Sequence, residues 1–183
     1  ARELSPLLTY HNLWHTQHGV MPAVAVLSQA EGLSAEERSL ALLGAAYHDL
    51  GFVQTYRGHE AAGAELARQM LPGFGFDPEQ VGRVCGMVLA THLPQSPANR
   101  LEAIVCDADL DVLGREDFFA QNDALYRETC ALVAPVTPQD WLLGQVQFLA
   151  AHQYFTGAAE ALRQPAKKAH LAALQEKLER KEV

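Results

Sequence analysis

The sequence predicts an all-α protein, a single helical bundle of about six to eight helices. Three observations support this prediction. Apolar residues recur at helical spacing in every periodic segment, as they do between Leu101 and Val112. Helix-start signals precede several of these segments, at Ser34 to Glu37 and at Asp77 to Gln80. No stretch of any length alternates apolar and polar residues in the manner of a strand.

Length and composition predict one compact domain over 1–183, with 158–183 as a C-terminal helical appendage. No run of residues approaches the roughly 18 apolar residues of a membrane-spanning helix, so we expect no membrane partner. The first residues show no basic segment followed by an apolar stretch, which favours a cytoplasmic location. The last helical stretch has charges of both signs around spaced leucines and is suited to docking on the body or on a second copy, so a homodimer stays open.

Charge excludes several classes of function. The net charge is -8, and residues 1–166 contain no lysine. A lysine nucleophile or a phosphate-binding lysine is therefore excluded from the body of the domain. Nucleic acid is not an expected partner, because binding its backbone needs clustered basic residues. A small phosphorylated substrate stays compatible, because a bound metal ion can supply the positive charge.

The three cysteines lack CxxC spacing and are expected to be reduced thiols.

The first helix is predicted to run from a cap at Asn12 to about Ala30. Pro22 lies within it. Because proline lacks the backbone N–H and its ring clashes with the preceding turn, this helix should be kinked or should begin later.

The second helix begins at the capping box of Ser34 and ends at His48 and Asp49. Residues 40–47 are all apolar or small, so these two metal-ligand side chains emerge at the end of a core helix. An ionised aspartate so placed needs a cation or several donors to offset its desolvation. The alternative is an ordinary helix terminus with Gly51 near the left-handed C-terminal position.

A connection with glycines at both ends follows this pair and leads to a third helix from His59 to about Leu71. Arg57 is the cation nearest to the His-Asp pair in sequence, and its planar fork suits phosphate oxygens. We take it as a candidate phosphate ligand, with a solvated loop arginine as the alternative.

A fourth helix begins at Asp77 and ends at His92, and a fifth runs from about Asn99 to Leu113. On a helical wheel of the fifth helix Asp109 borders the buried stripe. Asp107 points well away and Asp111 borders the stripe on its opposite side, so both are predicted to be solvated, capping or supporting groups. Three further helical stretches are predicted at roughly 116–133, 138–155 and 158–180.

Three motifs, in order along the chain, carry a family resemblance: YHNxxH at Tyr10 to His15, HDxGF at His48 to Phe52, and DADLDxLG at Asp107 to Gly114. In these motifs the chain resembles the HD superfamily of metal-dependent phosphohydrolases, most closely a bacterial branch. The resemblance implies a helical HD fold and a metal ion held by four residues: His15, His48, Asp49 and Asp109. His11 and His18 are then polar neighbours of the site.

The resemblance leaves the number of metal ions open. Some HD enzymes add two histidines and hold a second ion, and His59 and His92 occupy the corresponding places in the order of the motifs. The spacing departs from that pattern, because His59 follows Asp49 by only ten residues.

Two histidines and two carboxylates suit one or two divalent ions such as Mn, Fe, Ni, Co, Zn or Mg. Such an ion supports hydrolysis of a small phosphoester, a nucleotide among the candidates, by activated water. In this reading Asp49 or Asp109 orients the water, and Arg57, His59 or His92 contacts the phosphate or protonates the leaving oxygen. The alternatives are a non-catalytic module that binds metal or a nucleotide and an HD-type di-iron oxygenase.

Overall fold

A computed structural model describes residues 4–180 of the chain. Its secondary structure is helical and contains no strand among these residues, so the predicted all-α bundle is confirmed. Its α-helices are α1 (Met21–Ala30), α2 (Ala35–Tyr47), α3 (His59–Met70), α4 (Pro78–Ala90), α5 (Arg100–Asp109), α6 (Phe118–Leu132), α7 (Pro138–Ala151) and α8 (Gly157–Arg180). Within the described range, no helix combines the length and the apolar character that crossing a bilayer would require.

The first predicted helix begins later than its cap signal. A π-helical turn covers His15–Val20, and α1 follows it with Pro22 in its first turn. Pro22 is tolerated there because the first turn of an α-helix does not need its N–H group. Asn12 still caps the segment, since its Oδ1 accepts hydrogen bonds from the N–H groups of Trp14 and His15. The π turn, a feature often found at functional sites, begins with His15.

The predicted capping boxes are present. The Ser34 hydroxyl accepts from Glu37 N and the Glu37 carboxylate accepts from Ser34 N, and Asp77 and Gln80 make the equivalent pair.

The fifth helix is shorter than predicted. α5 ends at Asp109, and a separate 3-10 turn covers Asp111–Gly114. Asp109 is therefore a terminal residue of its helix.

Gly51 does not have the role that the alternative of an ordinary helix terminus assigned to it. Among the glycines of residues 4–180, those with positive φ are Gly32, Gly58 and Gly75, so Gly51 is not a left-handed cap. A Cβ at Gly51 would overlap the carbonyl oxygen of His59 and lie 2.7 Å from Gly63 N. Glycine is required there because the turn after Asp49 packs directly on the start of α3.

The apolar side chains form two clusters. The first joins the five helices α1 to α5 and contains fully buried residues such as Val24, Leu40, Met87 and Ile104. The second joins α6, α7 and α8 with the 3-10 turn after α5, and includes Phe118, Leu149 and Leu174. The chain passes from one cluster to the other at the end of α5, next to Asp109.

Helix α8 packs on the body, and its attachment corrects the expected surroundings of Asp107 and Asp111. Both are buried, with 0% and 2% exposure. Asp107 accepts hydrogen bonds from Phe155 N, Thr156 N and the Thr156 hydroxyl, and so holds the start of α8. Asp111 receives two hydrogen bonds from Arg163, at 2.6 and 3.0 Å. The solvated alternative is therefore wrong for both, because α8 covers the sides of this segment that the wheel placed outside the core.

Candidate metal centre

Three separate segments supply the candidate metal ligands. His15 begins the π turn, His48 ends α2 with Asp49 directly after it, and Asp109 ends α5. Helix ends place side chains at the edge of a core rather than inside it. The four residues are nonetheless largely withdrawn from water, and His48 is 1% exposed.

The ligand atoms of these residues converge. His15 Nε2 lies 3.4 Å from His48 Nε2, 3.4 Å from Asp109 Oδ1 and 3.7 Å from Asp49 Oδ2. His48 Nε2 lies 3.2 Å from Asp49 Oδ2 and 3.5 Å from Asp109 Oδ1. Two donors bound at about 2.1 Å to one ion are roughly 3.0 to 3.4 Å apart at octahedral or tetrahedral angles. The observed spacings, 3.2 to 3.7 Å, are close to this range. The ligand atoms of His15, His48 and Asp109 all lie within 4.8 Å of one another, and Asp49 adjoins this group through its contacts with the two histidines.

The hydrogen bonds around the ligands also fit an ion. His48 Nδ1 lies 2.7 Å from the carbonyl oxygen of Ala45, so Nδ1 donates, and Nε2 is the nitrogen whose lone pair could bind an ion in the neutral ring. Asp49 Oδ2 is buried and has no hydrogen-bond partner. A nitrogen lone pair and a carboxylate oxygen thus face each other, and a cation between them would satisfy both.

Electrostatics point the same way. Burial opposes a charged ring at His48, but the neighbouring carboxylates of Asp49 and Asp109 outweigh it and hold the pKa of His48 well above its usual value. Burial also opposes charge on Asp49, yet His48 and His59 hold the pKa of that carboxyl well below its usual range. In the metal-free protein two ionised carboxylates thus surround a positively charged His48 ring, and a divalent ion could take the place of that charge.

Gln95 fixes the orientation of Asp109. Its Nε2 donates to Asp109 Oδ2 at 3.3 Å and to the carbonyl oxygen of Cys106 at 3.2 Å. The other carboxylate oxygen, Oδ1, faces the two histidines. Sequence reasoning did not single out Gln95, because it lies in a Pro-flanked connection with no periodicity.

Glu128 is a second residue that sequence reasoning missed. It is fully buried and accepts hydrogen bonds from Tyr10 N, His11 N, His11 Nδ1 and the Tyr56 hydroxyl. Burial opposes its charge, but the hydrogen bond from His11 and the two N–H groups hold the pKa of Glu128 below its ordinary value. Glu128 thereby attaches the segment that leads to His15 to α6. The one sequence signal for Glu128 is its spacing of four residues from Ala124, which places both on the same face of the helix. Ala124 is buried, so this is the inner face of α6.

A cavity of about 260 Å³ opens beside the ligands. His11, Asp49, His59, Glu60 and Asp109 line one end of it. The remaining lining is apolar or uncharged, and consists of Tyr10, Thr91, Leu93, Leu110, Val112, Leu113, Phe118, Gln121, Asn122, Leu125, Gln145 and Phe148. Residues 4–180 contribute no lysine or arginine to this lining.

The remaining predicted site residues divide into two groups. His59 lies at the site, with Nε2 at 3.5 Å from Asp49 Oδ1 and its ring stacked on Phe52 at 3.8 Å. Arg57 and His92 are exposed and do not line the cavity. Arg57 lies in the loop before α3, and His92 follows the end of α4, where the chain turns toward Pro94. The structure therefore brings His15, His48, Asp49, Asp109 and His59 together, without Arg57 or His92.

Together the fold and the converging donors define an all-α protein with a candidate metal centre at one end of a cavity. A family model described as HD domain matches residues 18–111, slightly more than half of the chain. The chain therefore belongs to the HD domain family, whose members are in general metal-dependent phosphohydrolases. His48, Asp49 and Asp109 lie within the matched segment, and His15 lies just before it. Comparisons with curated proteins and with solved structures gave no match.

Proposed function

We propose that this protein is a metal-dependent phosphohydrolase that hydrolyses a small phosphoester bound in the cavity beside the His-Asp cluster. The observation that carries the proposal is the convergence of His15 Nε2, His48 Nε2, Asp109 Oδ1 and the unpartnered Asp49 Oδ2 at the cavity end. These four residues would hold the ion. A divalent ion there supplies positive charge to a phosphoryl group and makes water more acidic.

The protein's own residues perform the other tasks. The cavity shields the reacting groups from bulk water, and its two carboxylates orient the attacking water. His59 lines the cavity beside Asp49 and its ring is fixed by Phe52, so it is the proposed group that holds a proton at the leaving oxygen. In hydrolysis a water oxygen forms the new bond to phosphorus, the ester P–O bond breaks, and the leaving oxygen takes up a proton.

One ion is the stoichiometry that this arrangement favours. A second ion on the far side of Asp49 would need His59 and a further histidine. His92, the residue at the corresponding place in the sequence, is exposed and does not line the cavity. The donor set contains nitrogen and oxygen and no thiolate, so Mn, Fe, Ni, Co, Zn and Mg are all candidates.

The test separates binding from turnover. The protein is stripped with a chelator and titrated with each ion by calorimetry. Hydrolysis of p-nitrophenyl phosphate and of a panel of nucleotides and sugar phosphates is then measured. We expect binding of one ion and activity that depends on it. His15→Gln should lose both, with kcat/KM down by about 10³ or more, while His18→Gln, which changes an exposed histidine of the same segment, should keep both.

Other outcomes would favour the two alternatives. Tight metal or nucleotide binding without turnover on the whole panel would indicate a non-catalytic module. Two equivalents of iron with an oxygen-dependent absorbance change would indicate a di-iron oxygenase. Either result would contradict the proposed hydrolase.

A further inference from the structure

The charges around the cavity limit the number of phosphate groups that a bound ligand can carry. Asp49, Asp109 and the buried Glu60 line the cavity, and no lysine or arginine of the described residues does. Two arginines close in sequence to cavity-lining segments or in α8 are already paired, Arg115 with Asp117 and Arg163 with Asp111. One divalent ion offers a cation to one phosphoryl group. A second or third phosphate would meet carboxylates with no cation beside it.

The rest of the cavity lining is largely apolar. Leu110 and the 3-10 turn after it contribute leucine and valine side chains, α6 contributes Phe118 and Leu125, and α7 contributes Phe148. A ligand group placed against these side chains gains roughly 25 cal/mol for each Å² of apolar surface that it buries. A charged group placed there would lose its hydration without a partner.

Three neutral amides interrupt this apolar wall. Gln121 and Asn122 belong to α6, and Gln145 belongs to α7. Asn122 Oδ1 is buried and has no hydrogen-bond partner in the protein. A buried carbonyl oxygen is satisfied by a hydroxyl or N–H donor, so this part of the lining suits an uncharged polar group.

The size of the cavity adds a further limit. At about 260 Å³ it is just below the range of roughly 300 to 1,000 Å³ that is usual for small-molecule pockets. A compact ligand fits this space, and a nucleoside triphosphate or a dinucleotide exceeds it.

We infer that the substrate is a compact phosphate monoester whose single phosphoryl group lies at the His-Asp end. Its uncharged, largely apolar remainder carries a hydroxyl or N–H donor that binds the amides of α6 and α7. This inference rests on the proposed phosphohydrolase function and names the substrate class of the same site. The products are inorganic phosphate and an uncharged alcohol.

The first test compares substrates that differ in phosphate number. With saturating metal, kcat/KM is measured for a nucleoside mono-, di- and triphosphate of one base, for a cyclic dinucleotide, and for small aryl and alkyl phosphates. We expect each monoester of suitable size to exceed the di- and triphosphates by about 100-fold or more. Equal or higher activity on the di- or triphosphate or on the dinucleotide overturns this inference and leaves the phosphohydrolase function intact. Absence of all turnover in a metal-loaded protein overturns both.

The second test changes the charge of the wall. Gln145→Lys adds a cation to the uncharged lining, and we expect it to raise kcat/KM for the diphosphate relative to the monophosphate by about tenfold. Asn122→Leu has nearly the same volume and removes the amide. For substrates with a donor group it should raise KM by about tenfold while kcat and metal affinity stay unchanged. Asp123→Asn, at the exposed next position of α6, is the matched control and should alter neither quantity. A Gln145→Lys variant that folds, binds metal and keeps the original preference contradicts the inference.

Discussion

Asp107, Asp109 and Asp111 show how differently one residue type is used within five positions. Asp109 faces the two histidines, whereas Asp107 holds the start of α8 and Asp111 binds Arg163. All three lie at the border of the two apolar clusters. Their substitutions should therefore separate metal binding from fold stability.

The first prediction uses this separation. A bound ion should raise the melting temperature of the wild type with the logarithm of its free concentration, by the equivalent of about 2.7 kcal/mol at 100 times Kd. Asp109→Asn should abolish this response because it removes a ligand charge. Asp107→Asn should lower the melting temperature without metal, because it weakens three hydrogen bonds at α8, but should keep the response. Melting curves with and without metal check this, and the reverse pattern would refute the assignment of Asp109.

The second prediction concerns two glycines. Gly51→Ala would place a methyl group against the backbone of His59 and Gly63, which cannot move without separating α3 from the site. We expect a loss of about 3 kcal/mol or more in the free energy of unfolding. Gly82→Ala is the matched control, since nothing lies within 4 Å of its Cβ position in α4. That variant should gain about 0.5 to 1 kcal/mol from helix propensity. Urea unfolding of both variants measures the difference, and a neutral Gly51→Ala would contradict the close contact.

At the scale of elements, Glu128 attaches the segment before His15 to α6. The third prediction is that Glu128→Gln lowers the free energy of unfolding by about 2 to 4 kcal/mol, because the amide cannot accept from four donors as the carboxylate does. Metal affinity should fall as well, since His15 is then less firmly placed. The control Glu116→Gln changes an exposed glutamate and should stay within about 0.5 kcal/mol. Denaturant unfolding and metal titration test the two parts, and an unchanged stability of Glu128→Gln would show that this attachment is dispensable.

Helix α8 is also joined to the end of α7 by a buried lysine. Lys167 Nζ donates to the carbonyl oxygen of His152 at 2.6 Å and lies 3.0 Å from His152 Nδ1. Burial and the positive charge of Lys167 lower the pKa of His152 to about 4. His152 is therefore neutral in the folded protein at neutral pH.

The fourth prediction follows from the sign of this shift. The unfolded chain, with an ordinary histidine pKa near 6.5, takes up a proton at higher pH than the folded protein does. The stabilising contribution of neutral His152 is complete above about pH 6.5 and is lost as the pH falls toward 4. Urea unfolding at pH 7.5 and 5 should show a smaller loss of stability for His152→Gln than for wild type. The exposed control His18→Gln should behave as wild type does, and an identical pH dependence in all three proteins would refute the assignment to His152.

At the scale of the whole molecule, the sequence predicted what depends on local pattern. Capping boxes at Ser34 and Asp77 and the apolar spacing of the core helices gave the helix starts and the all-α class. The order of the three motifs predicted membership of the HD family, and the match of the HD domain model to residues 18–111 confirms that membership. These features are readable because capping and periodicity act over only a few residues.

The features that the sequence did not reveal depend on contacts between distant segments. Asp107 is separated from Thr156 by 49 positions and Glu128 from Tyr10 by 118. No local pattern reports which helix covers a given face, so Asp107 resembled a solvated residue and Glu128 an ordinary helix residue. The exposure of Arg57 and His92 likewise depends on the path of the chain after a helix end or within a loop.

The attachment of α8 on both sides of Asp109 has a consequence for the entropy of metal binding. Asp107, two positions before it, is held to the residues directly before α8, and Asp111, two positions after it, is held to α8. Gln95 holds the second carboxylate oxygen of Asp109. The rotamer freedom of Asp109 is thus largely lost when the chain folds, at a cost of up to about 1 kcal/mol that packing elsewhere offsets. An arriving ion then meets a carboxylate that has little freedom left to lose. The C-terminal helix, more than 40 residues further along the chain, in this way contributes to affinity at a site that it does not touch.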